Sequence, residues 1–211
     1  MTGRKVLVWL LVLLVAAIVP AVVVPTLMCK QPDVVLDDYG DVGKFALIDE
    51  RGQPFTQEAF VGHPTIVSFI FTRCDTICPV TSMRMEKIQE QTFTAGHRIK
   101  LLSISVDPTY DTPARLAEYA ARYHADPERW RFVTGPVDGI EGVKQLVEGA
   151  FMNSMQRDGD TPTGAPNIAH NGHFALVDSF QHIRGFYDSR DVARLETLMR
   201  DARYLARTQQ P

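Results

Sequence analysis

Two cysteines, Cys74 and Cys78, lie four positions apart, shortly after an apolar, β-branched run over 65–71. The run is typical of a buried strand, and Pro79 then opens an amphipathic pattern that is typical of a helix. The thiols are therefore predicted at a strand-to-helix turn, where a helix N-terminus favours thiolate over thiol and lowers a cysteine pKa. If both residues share one helical turn, their spacing puts both sulfurs on one face.

Two convergent thiols can form a disulfide, exchange disulfides with another protein, or bind a soft metal ion. The three intervening residues differ from the two-residue spacing that favours exchange. A purely structural disulfide stays open at this point, as does a peroxidase-type thiolate activated by the neighbouring Arg73. The spacing of Cys74 and Cys78 does not choose among these chemistries.

A histidine near the two cysteines would distinguish a metal site from a redox pair, because imidazole helps a thiolate site to hold copper(II) as well as copper(I). The chain has six histidines. Four of them lie in predicted turns, helix ends or surface strands and are expected to be structural or exposed: His63, His97, His124 and His182. The other two, His170 and His173, follow a polar stretch over 152–168 that is predicted to be a long loop.

We call the strand-to-helix turn that carries Cys74 and Cys78 the dithiol turn. In a thioredoxin-like sheet, which the order of elements given next resembles, this loop faces that turn, so a neutral histidine at its end could complete a Cys2His site. The alternative for each residue is a loop histidine whose ring bonds to the backbone. Residues i and i+3 of a strand point to opposite faces, so His170 and His173 are not expected to bind one ion together.

Strands and helices alternate along the chain after residue 44. Strands are predicted over 65–71, 99–106, 130–134, 173–178 and 181–187, and a hairpin over 45–55 leads to a helical turn at 56–60. Helices are predicted over 79–96, over 113–124 after a Thr112 cap, over 138–151, and from a Ser189 cap onwards. This order predicts one α/β domain over 41–211, with a mixed central sheet, an antiparallel final strand pair and helices on both faces. A strand that delivers a cysteine pair to a helix N-terminus within this order resembles the thioredoxin fold.

The N-terminal segment carries no charge over 6–29. Residues 6–28 are long enough to span a bilayer core of about 30 Å, and we expect them to form one transmembrane helix. Arg4 and Lys5 then keep 1–5 in the cytoplasm, so the chain is expected to be a single-pass inner-membrane protein with its folded domain on the exported, periplasmic side. The alternative is a cleaved signal peptide.

A linker is expected over 29–40. It begins with Cys29, which is expected to be incidental, and Met28 in front of it disfavours lipidation. The chain carries 25 acidic and 22 basic residues, and two of the basic ones are Arg4 and Lys5. An acidic domain argues against nucleic acid and against anionic lipid surfaces as partners. On the exported side the two thiols of the dithiol turn would meet oxidants.

Three motifs in this order resemble the Sco/SenC family of membrane-anchored copper proteins. They are F-T-R-C-D-T-I-C-P over 71–79, S-V-D-P followed by D-T-P over 105–113, and His170 eight residues before Asp178. The resemblance covers about 38–205. It implies a thioredoxin-like fold, one bound copper ion, and a role in assembling the binuclear copper centre of cytochrome c oxidase subunit II.

Carried over position by position, the resemblance implies Cys74, Cys78 and His170 as the copper ligands. It also implies a supporting role near the site for Asp107. The sequence departs from the family pattern around the ligand histidine, where Ala169 stands at a commonly acidic position and Asn171 stands in place of serine. The family spacing selects His170, and His173 is held as a lesser candidate.

The function implied is that of a copper chaperone, which is not an enzyme in the turnover sense. Its partners would be cytochrome c oxidase subunit II and upstream copper donors or thiol reductants. Oxidation of Cys74 and Cys78 to a disulfide would switch copper binding off. The alternative is a thiol–disulfide oxidoreductase that keeps target cysteines reduced, which needs the two thiols but not His170.

Overall fold

A computed structural model describes residues 34–93, 99–135 and 172–209, the backbone of 155–160 and 166–170, and scattered residues elsewhere. The chain divides into two compact units, Met1–Val35 and Leu36–Pro211. In the first unit the described residues are helical and exposed up to residue 19. Among the described residues, no helix has the length and apolar character needed to cross a membrane.

Nine strands are described in the second unit. They are β1 (Ala46–Asp49), β2 (Pro54–Thr56), β3 (Thr65–Ile70), β4 (Lys100–Ser105), β5 (Trp130–Thr134), β6 (Met155–Asp160), β7 (Pro166–His170), β8 (His173–Val177) and β9 (Ile183–Asp188). Seven of them form one sheet in the order β2-β1-β5-β4-β3-β8-β9. The β3–β4 and β4–β5 pairs are parallel, and the other pairs in this sheet are antiparallel. The predicted mixed sheet, the N-terminal hairpin and the antiparallel final pair are confirmed.

Three α-helices have described bounds in this unit, α1 (Ile77–Phe93), α2 (Pro113–Arg122) and α3 (Val192–Thr208), and a short 3-10 helix covers Gln57–Phe60. Right-handed crossovers between the parallel strands put α1 and α2 on the same face of the sheet. A buried hydrogen bond of 2.9 Å between the hydroxyls of Ser82 and Tyr119 joins these two helices. The helix predicted over 138–151 lies largely outside the described residues, so a covering of both faces stays a prediction.

The centre of the sheet is buried because its strands consist of apolar and small residues. All six residues of β3 are buried, as expected for a strand flanked on both sides within a sheet. Two serines cross this core as a hydroxyl pair, with Ser68 Oγ 2.9 Å from Ser103 Oγ. The indole Nε1–H of Trp130, which is fully buried, donates to Ser103 Oγ at 2.9 Å. Ser103 thus satisfies the polar atom of the largest side chain in the core.

Two predicted boundaries are wrong by two residues. Helix α1 begins at Ile77 rather than at Pro79, because its first turn is already formed ahead of the proline. The final helix is capped by Asp191 and not by Ser189, since the Asp191 carboxylate accepts from the N–H of Ala193 at 2.9 Å and Arg194 at 3.3 Å. The Thr112 cap of α2 and the helical turn at 57–60 are confirmed.

The prediction that 152–168 forms a long loop is also wrong. Strands β6 and β7 lie in it and pair antiparallel as a separate two-stranded sheet. A shift of register between Arg157 and Asp160 interrupts the pairing, and the stretch contains two glycines and two prolines. These breaks hide the alternation by which a strand is recognised in a sequence.

The N-terminal end of the second unit is bonded to the turn between β8 and β9. The N–H of Tyr39 donates to Ile183 O at 2.9 Å, and the N–H of Val42 donates to Gln181 O at 3.0 Å. Because β8 runs antiparallel to β3, that turn lies at the end of the sheet opposite to the one where β3 finishes at Ile70.

Replacing Ser103 by alanine leaves the buried indole N–H of Trp130 without an acceptor, and we expect the free energy of unfolding to fall by about 1–3 kcal/mol. Ser68→Ala is the matched control, because the indole keeps its acceptor, and its cost is expected to be smaller. Equilibrium urea unfolding of the two variants measures the difference. Equal losses would contradict the acceptor role of Ser103.

Candidate functional site

The dithiol turn follows the end of β3. The N–H of Cys74 donates to Phe71 O at 3.1 Å and closes a tight turn. The N–H of Cys78, in the first turn of α1, then donates to Cys74 Sγ at 3.4 Å. Cys74 therefore precedes the helix and accepts from its N-terminus, so the predicted strand-to-helix turn is confirmed while the two residues do not share a helical turn. The two residues are brought together all the same, and both are thiols.

The two thiols differ in exposure. Cys78 is fully buried, whereas Cys74 is partly exposed and its Sγ lies 3.6 Å from Thr76 Oγ1. Burial raises the pKa of the Cys78 thiol far above its usual value, and the neighbouring Cys74 sulfur raises it further. The prediction of a lowered pKa is wrong for Cys78, because the loss of hydration on burial is the largest effect on its thiol.

A buried carboxylate fixes the start of this turn. Asp111 accepts from Thr72 twice, from the N–H at 3.0 Å and from the hydroxyl at 2.5 Å. It also accepts from the hydroxyl of Ser105, at the end of β4, at 2.5 Å. Asp111 is fully buried, and burial raises the pKa of its carboxyl against the opposing effect of these hydrogen bonds. One side chain thus ties the segment before Cys74 to the adjacent strand.

A second carboxylate acts on the residue next to Cys74. Asp107 is fully buried and accepts from Arg73 Nε at 2.8 Å, with the Arg73 NH2 group also at 2.8 Å. The guanidinium lies 4.4 Å from the centroid of the Tyr110 ring, and Arg115 lies on the same ring at 3.7 Å. This arrangement holds Arg73 by charge and by cation–π contact.

Asp107 therefore holds Arg73, the residue next to Cys74, and its supporting role at a copper site stays a prediction. Asp111 belongs to a motif noted in the sequence, but its role as the clamp on Thr72 was missed. The available signal was an acidic residue within a Pro-bounded stretch directly after a buried strand. Such a residue has the backbone and hydroxyl donors of the neighbouring strand end as its nearest partners.

The two candidate histidines lie on either side of Gly172. His170 is the last residue of β7, where its backbone pairs with Met155, and its side chain lies outside the described atoms. His173 begins β8 opposite Asp188, and its Nδ1 is buried with no partner in the described part of the chain. The structure therefore does not test the choice between His170 and His173.

Gly172 links this segment to the dithiol turn. Its φ of +66° belongs to the left-handed region, and a Cβ built there would lie 3.2 Å from Ile77 Cγ1. Strand β8 pairs with β3, so its first residues lie at the sheet end where β3 gives way to the dithiol turn. His170 is thus two residues from a backbone position in contact with the residue before Cys78. Among the described side chains, no three His, Cys, Asp or Glu are grouped to hold a metal ion.

Two of the remaining histidines match the expectation of a surface role. His124 is exposed with its Nδ1 2.7 Å from Glu86 Oε1, and His182 is partly exposed with its Nδ1 3.0 Å from Asp38 Oδ2. His63 is partly buried, and His97 lies outside the described residues.

A mixed sheet with a cysteine pair where its central strand meets a helix defines a thioredoxin-like α/β protein with a dithiol turn. A family model described as SCO1/SenC matches residues 37–206, and the chain belongs to this family. It is 37% identical over 146 residues to a SCO2-like protein of Rickettsia prowazekii, across 69% of this chain and 68% of that protein.

Solved structures of the family share the fold. BsSco, described as a member of the Sco family of cytochrome c oxidase assembly proteins with a disulfide switch, superposes with a TM-score of 0.71 at 24% identity, over 84% of this chain and 99% of that one. The copper-bound ScoI of Bradyrhizobium japonicum gives a TM-score of 0.63 at 21% identity, over 77% and 98% of the two chains.

Asp111 makes the free energy of unfolding depend on pH, and the direction of that dependence follows from its raised pKa. Its folded-state pKa is raised, so the native state holds a proton that the unfolded state releases, and stability falls as the pH rises above the usual aspartate value of about 3.9. Asp111→Asn removes this fall, whereas Asp111→Ala also strands the donors of Thr72 and Ser105 and is expected to cost about 2–4 kcal/mol at neutral pH. Urea unfolding of wild type and both variants between about pH 4 and about pH 8 measures how the free energy of unfolding changes with pH. A wild-type-minus-Asn difference that does not change with pH would contradict it.

Gly172→Ala introduces a side chain at a left-handed φ and against Ile77, and we expect a loss of about 1–2 kcal/mol in the free energy of unfolding. The strain falls at Gly172, where the backbone comes close to Ile77 in the first turn of α1. Gly52→Ala is the matched control, because its φ of +75° is also left-handed while nothing lies within 4 Å of a Cβ built there. A Cβ at Gly172 would also lie 3.2 Å from Ser189 Oγ, so equal unfolding losses in both variants would show that the contacts with Ile77 and Ser189 contribute nothing.

Proposed function

We propose that this protein is a copper chaperone that binds one copper ion through Cys74, Cys78 and His170. The observation that carries the proposal is the dithiol turn, with one partly exposed and one buried thiol, and the close approach of Gly172, two residues after His170, to Ile77. Two thiols and an imidazole form a donor set that suits copper, because thiolate selects copper(I) and imidazole also suits copper(II). The copper-bound ScoI structure supports the choice of metal.

The burial of Cys78 determines how copper would bind. A metal ligand must be the thiolate, and burial raises the pKa of the Cys78 thiol, so copper binding at this residue would displace a proton. Copper uptake would therefore release protons, and the affinity for copper is expected to rise with pH. Cys74 is the partly exposed ligand, so we assign to it the first contact with incoming copper and the last contact with departing copper.

The copper is cargo in this proposal, and its destination is the binuclear copper centre of cytochrome c oxidase subunit II. The description of BsSco as an oxidase assembly protein supports this role. A site of only three ligands, one of them a partly exposed sulfur, leaves room for a partner's thiols to enter as the protein's own ligands depart. Upstream copper donors or thiol reductants would load or reduce the same pair.

The proposal includes a membrane anchor. Residues 6–28 would form a single transmembrane helix with 1–5 in the cytoplasm, and 29–40 would link it to a domain on the exported side of the inner membrane. The uncharged run over 6–29, preceded by Arg4 and Lys5, supports this topology.

The second candidate function is that of a thiol–disulfide oxidoreductase acting on the target's cysteines. The difference in exposure between the two thiols favours it, because a reductase attacks with an accessible sulfur and resolves the mixed disulfide with a protected one. This chemistry uses Cys74 and Cys78 and has no need of His170.

Anaerobic copper titration of the full chain, followed by absorbance and electron paramagnetic resonance, tests the ligand set. Wild type should bind one copper ion per chain, and Cys74→Ala or Cys78→Ala should abolish binding because a lone thiolate cannot hold the ion. His170→Ala should weaken copper(II) binding by at least about 10–100-fold and change the spectrum. The matched control is His124→Ala, which removes an exposed histidine paired with Glu86 and should change neither.

Three outcomes would alter the proposal. If His173→Ala weakens copper(II) binding and His170→Ala does not, the third ligand is His173. If neither histidine matters and copper binds weakly, while reduction of a model disulfide persists in His170→Ala, the oxidoreductase is the better assignment. Rapid consumption of hydrogen peroxide by the reduced chain would instead favour the peroxidase-type chemistry that Arg73 left open.

A further inference from the structure

An open groove separates α1 from α3. It has a volume of about 600 Å³ and is lined by three basic side chains, Arg84 and Lys87 of α1 and Arg203 of α3. The floor is apolar, with Ile88 4% exposed and Met199 5% exposed. We call this surface the α1–α3 groove.

The charges of the groove are uncompensated. Across the described residues, none of Arg84, Lys87 and Arg203 forms an ion pair, while Glu196 is the one acidic residue lining the groove. Other arginines of the same unit are paired with carboxylates, such as Arg131 with Asp49. The whole chain has a net charge of −3, so this groove is a basic surface on an acidic protein.

The groove continues from the dithiol end of the sheet. Helix α1 begins at Ile77, next to Cys78, and Val80 lies four residues before Arg84 on the same helical stripe and is 36% exposed. Helix α3 begins where β9 ends, and its first residue Val192 lines the groove and is 58% exposed.

The strand end before α3 also lies close to the dithiol helix. The N–H of Ser189 donates to Gly172 O at 2.9 Å, and a Cβ built on Gly172 would touch Ile77. A molecule bound in the groove can therefore reach the dithiol turn.

We propose that the α1–α3 groove docks an acidic, amphipathic segment of the protein that receives the copper, which rests on the function proposed above. Carboxylates of the segment pair with Arg84, Lys87 and Arg203, and its apolar side chains cover Val80 and Val192 and reach the floor. The basic surface attracts the acidic partner and orients it so that its thiols arrive at Cys74.

The shape of the groove favours a protein segment over a lipid surface. Its apolar floor is recessed beneath the three cations, as the low exposure of Ile88 and Met199 shows. A flat bilayer would meet the cations but would leave the floor uncovered, whereas one helix or strand of a partner fills both the charged rim and the apolar floor.

The test measures binding of the full chain, held in zwitterionic nanodiscs, to the soluble domain of the same organism's cytochrome c oxidase subunit II. Arg84→Glu/Lys87→Glu is the test variant. Lys44→Glu/Arg194→Glu is its matched control, because it makes the same change in net charge at two exposed positions that do not line the groove. Copper titration of each chain is run in parallel.

We expect the groove variant to bind the partner domain about tenfold more weakly than wild type in low salt, with the control within about twofold of wild type. The difference should shrink severalfold between about 0.05 M and 0.5 M salt, because the contacts are charged and exposed. Both variants should still bind one copper ion, since neither substitution touches the ligands.

Equal partner affinity in the groove variant and wild type would overturn the docking proposal while leaving the copper function intact. If the wild-type chain does not bind copper, the proposed function is rejected, whether or not the groove binds the partner domain. Two other outcomes would also overturn the proposal, in each case with partner affinity unchanged in the groove variant. If that variant abolishes self-association of the chain, the groove binds a second copy. If it abolishes binding to phosphatidylglycerol vesicles, the groove binds lipid.

Discussion

The site depends on one buried carboxylate. A dithiol turn is a short irregular segment, and such a segment has few backbone hydrogen bonds of its own to keep it in place. Asp111 supplies what the turn lacks, because it accepts from both donors of Thr72 and from Ser105 at the end of the neighbouring strand. The ionised form of a buried carboxyl is costly, and the three donors offset that cost only while the turn is folded. The position of Cys74 is therefore tied to the integrity of the parallel β3–β4 pair.

Around that anchor the two sulfurs have unequal surroundings. Cys78 lies inside the core with the pKa of its thiol raised, while Cys74 lies partly exposed and its sulfur accepts from the N–H of Cys78 in the first turn of α1. The same inequality serves metal transfer and disulfide exchange. An accessible sulfur makes and breaks the contact with another molecule, and a buried sulfur retains the product from inside. The fold therefore favours both candidate functions, and the third ligand is what separates them.

Much of the architecture could be predicted from the sequence, because β3 and β4 are continuous apolar runs and α2 has a Thr-Pro start. The dithiol turn was predicted on the same grounds. The errors come from interactions that local pattern does not encode. The raised pKa of Cys78 depends on the packing of residues distant in the chain, and the Asp111 clamp spans 39 residues to Thr72. The β6–β7 pair was missed because glycines, prolines and a shifted register removed its alternation.

The chain enters the folded unit at Tyr39–Val42, beside the turn between β8 and β9, while the dithiol turn lies at the other end of the sheet. A six-residue strand such as β3 is about 20 Å long, so the sulfurs are held roughly that far from the point of attachment. The sulfurs therefore lie at the end of the sheet that faces away from the entry of the chain at 39–42, and a partner protein can approach them without meeting that segment.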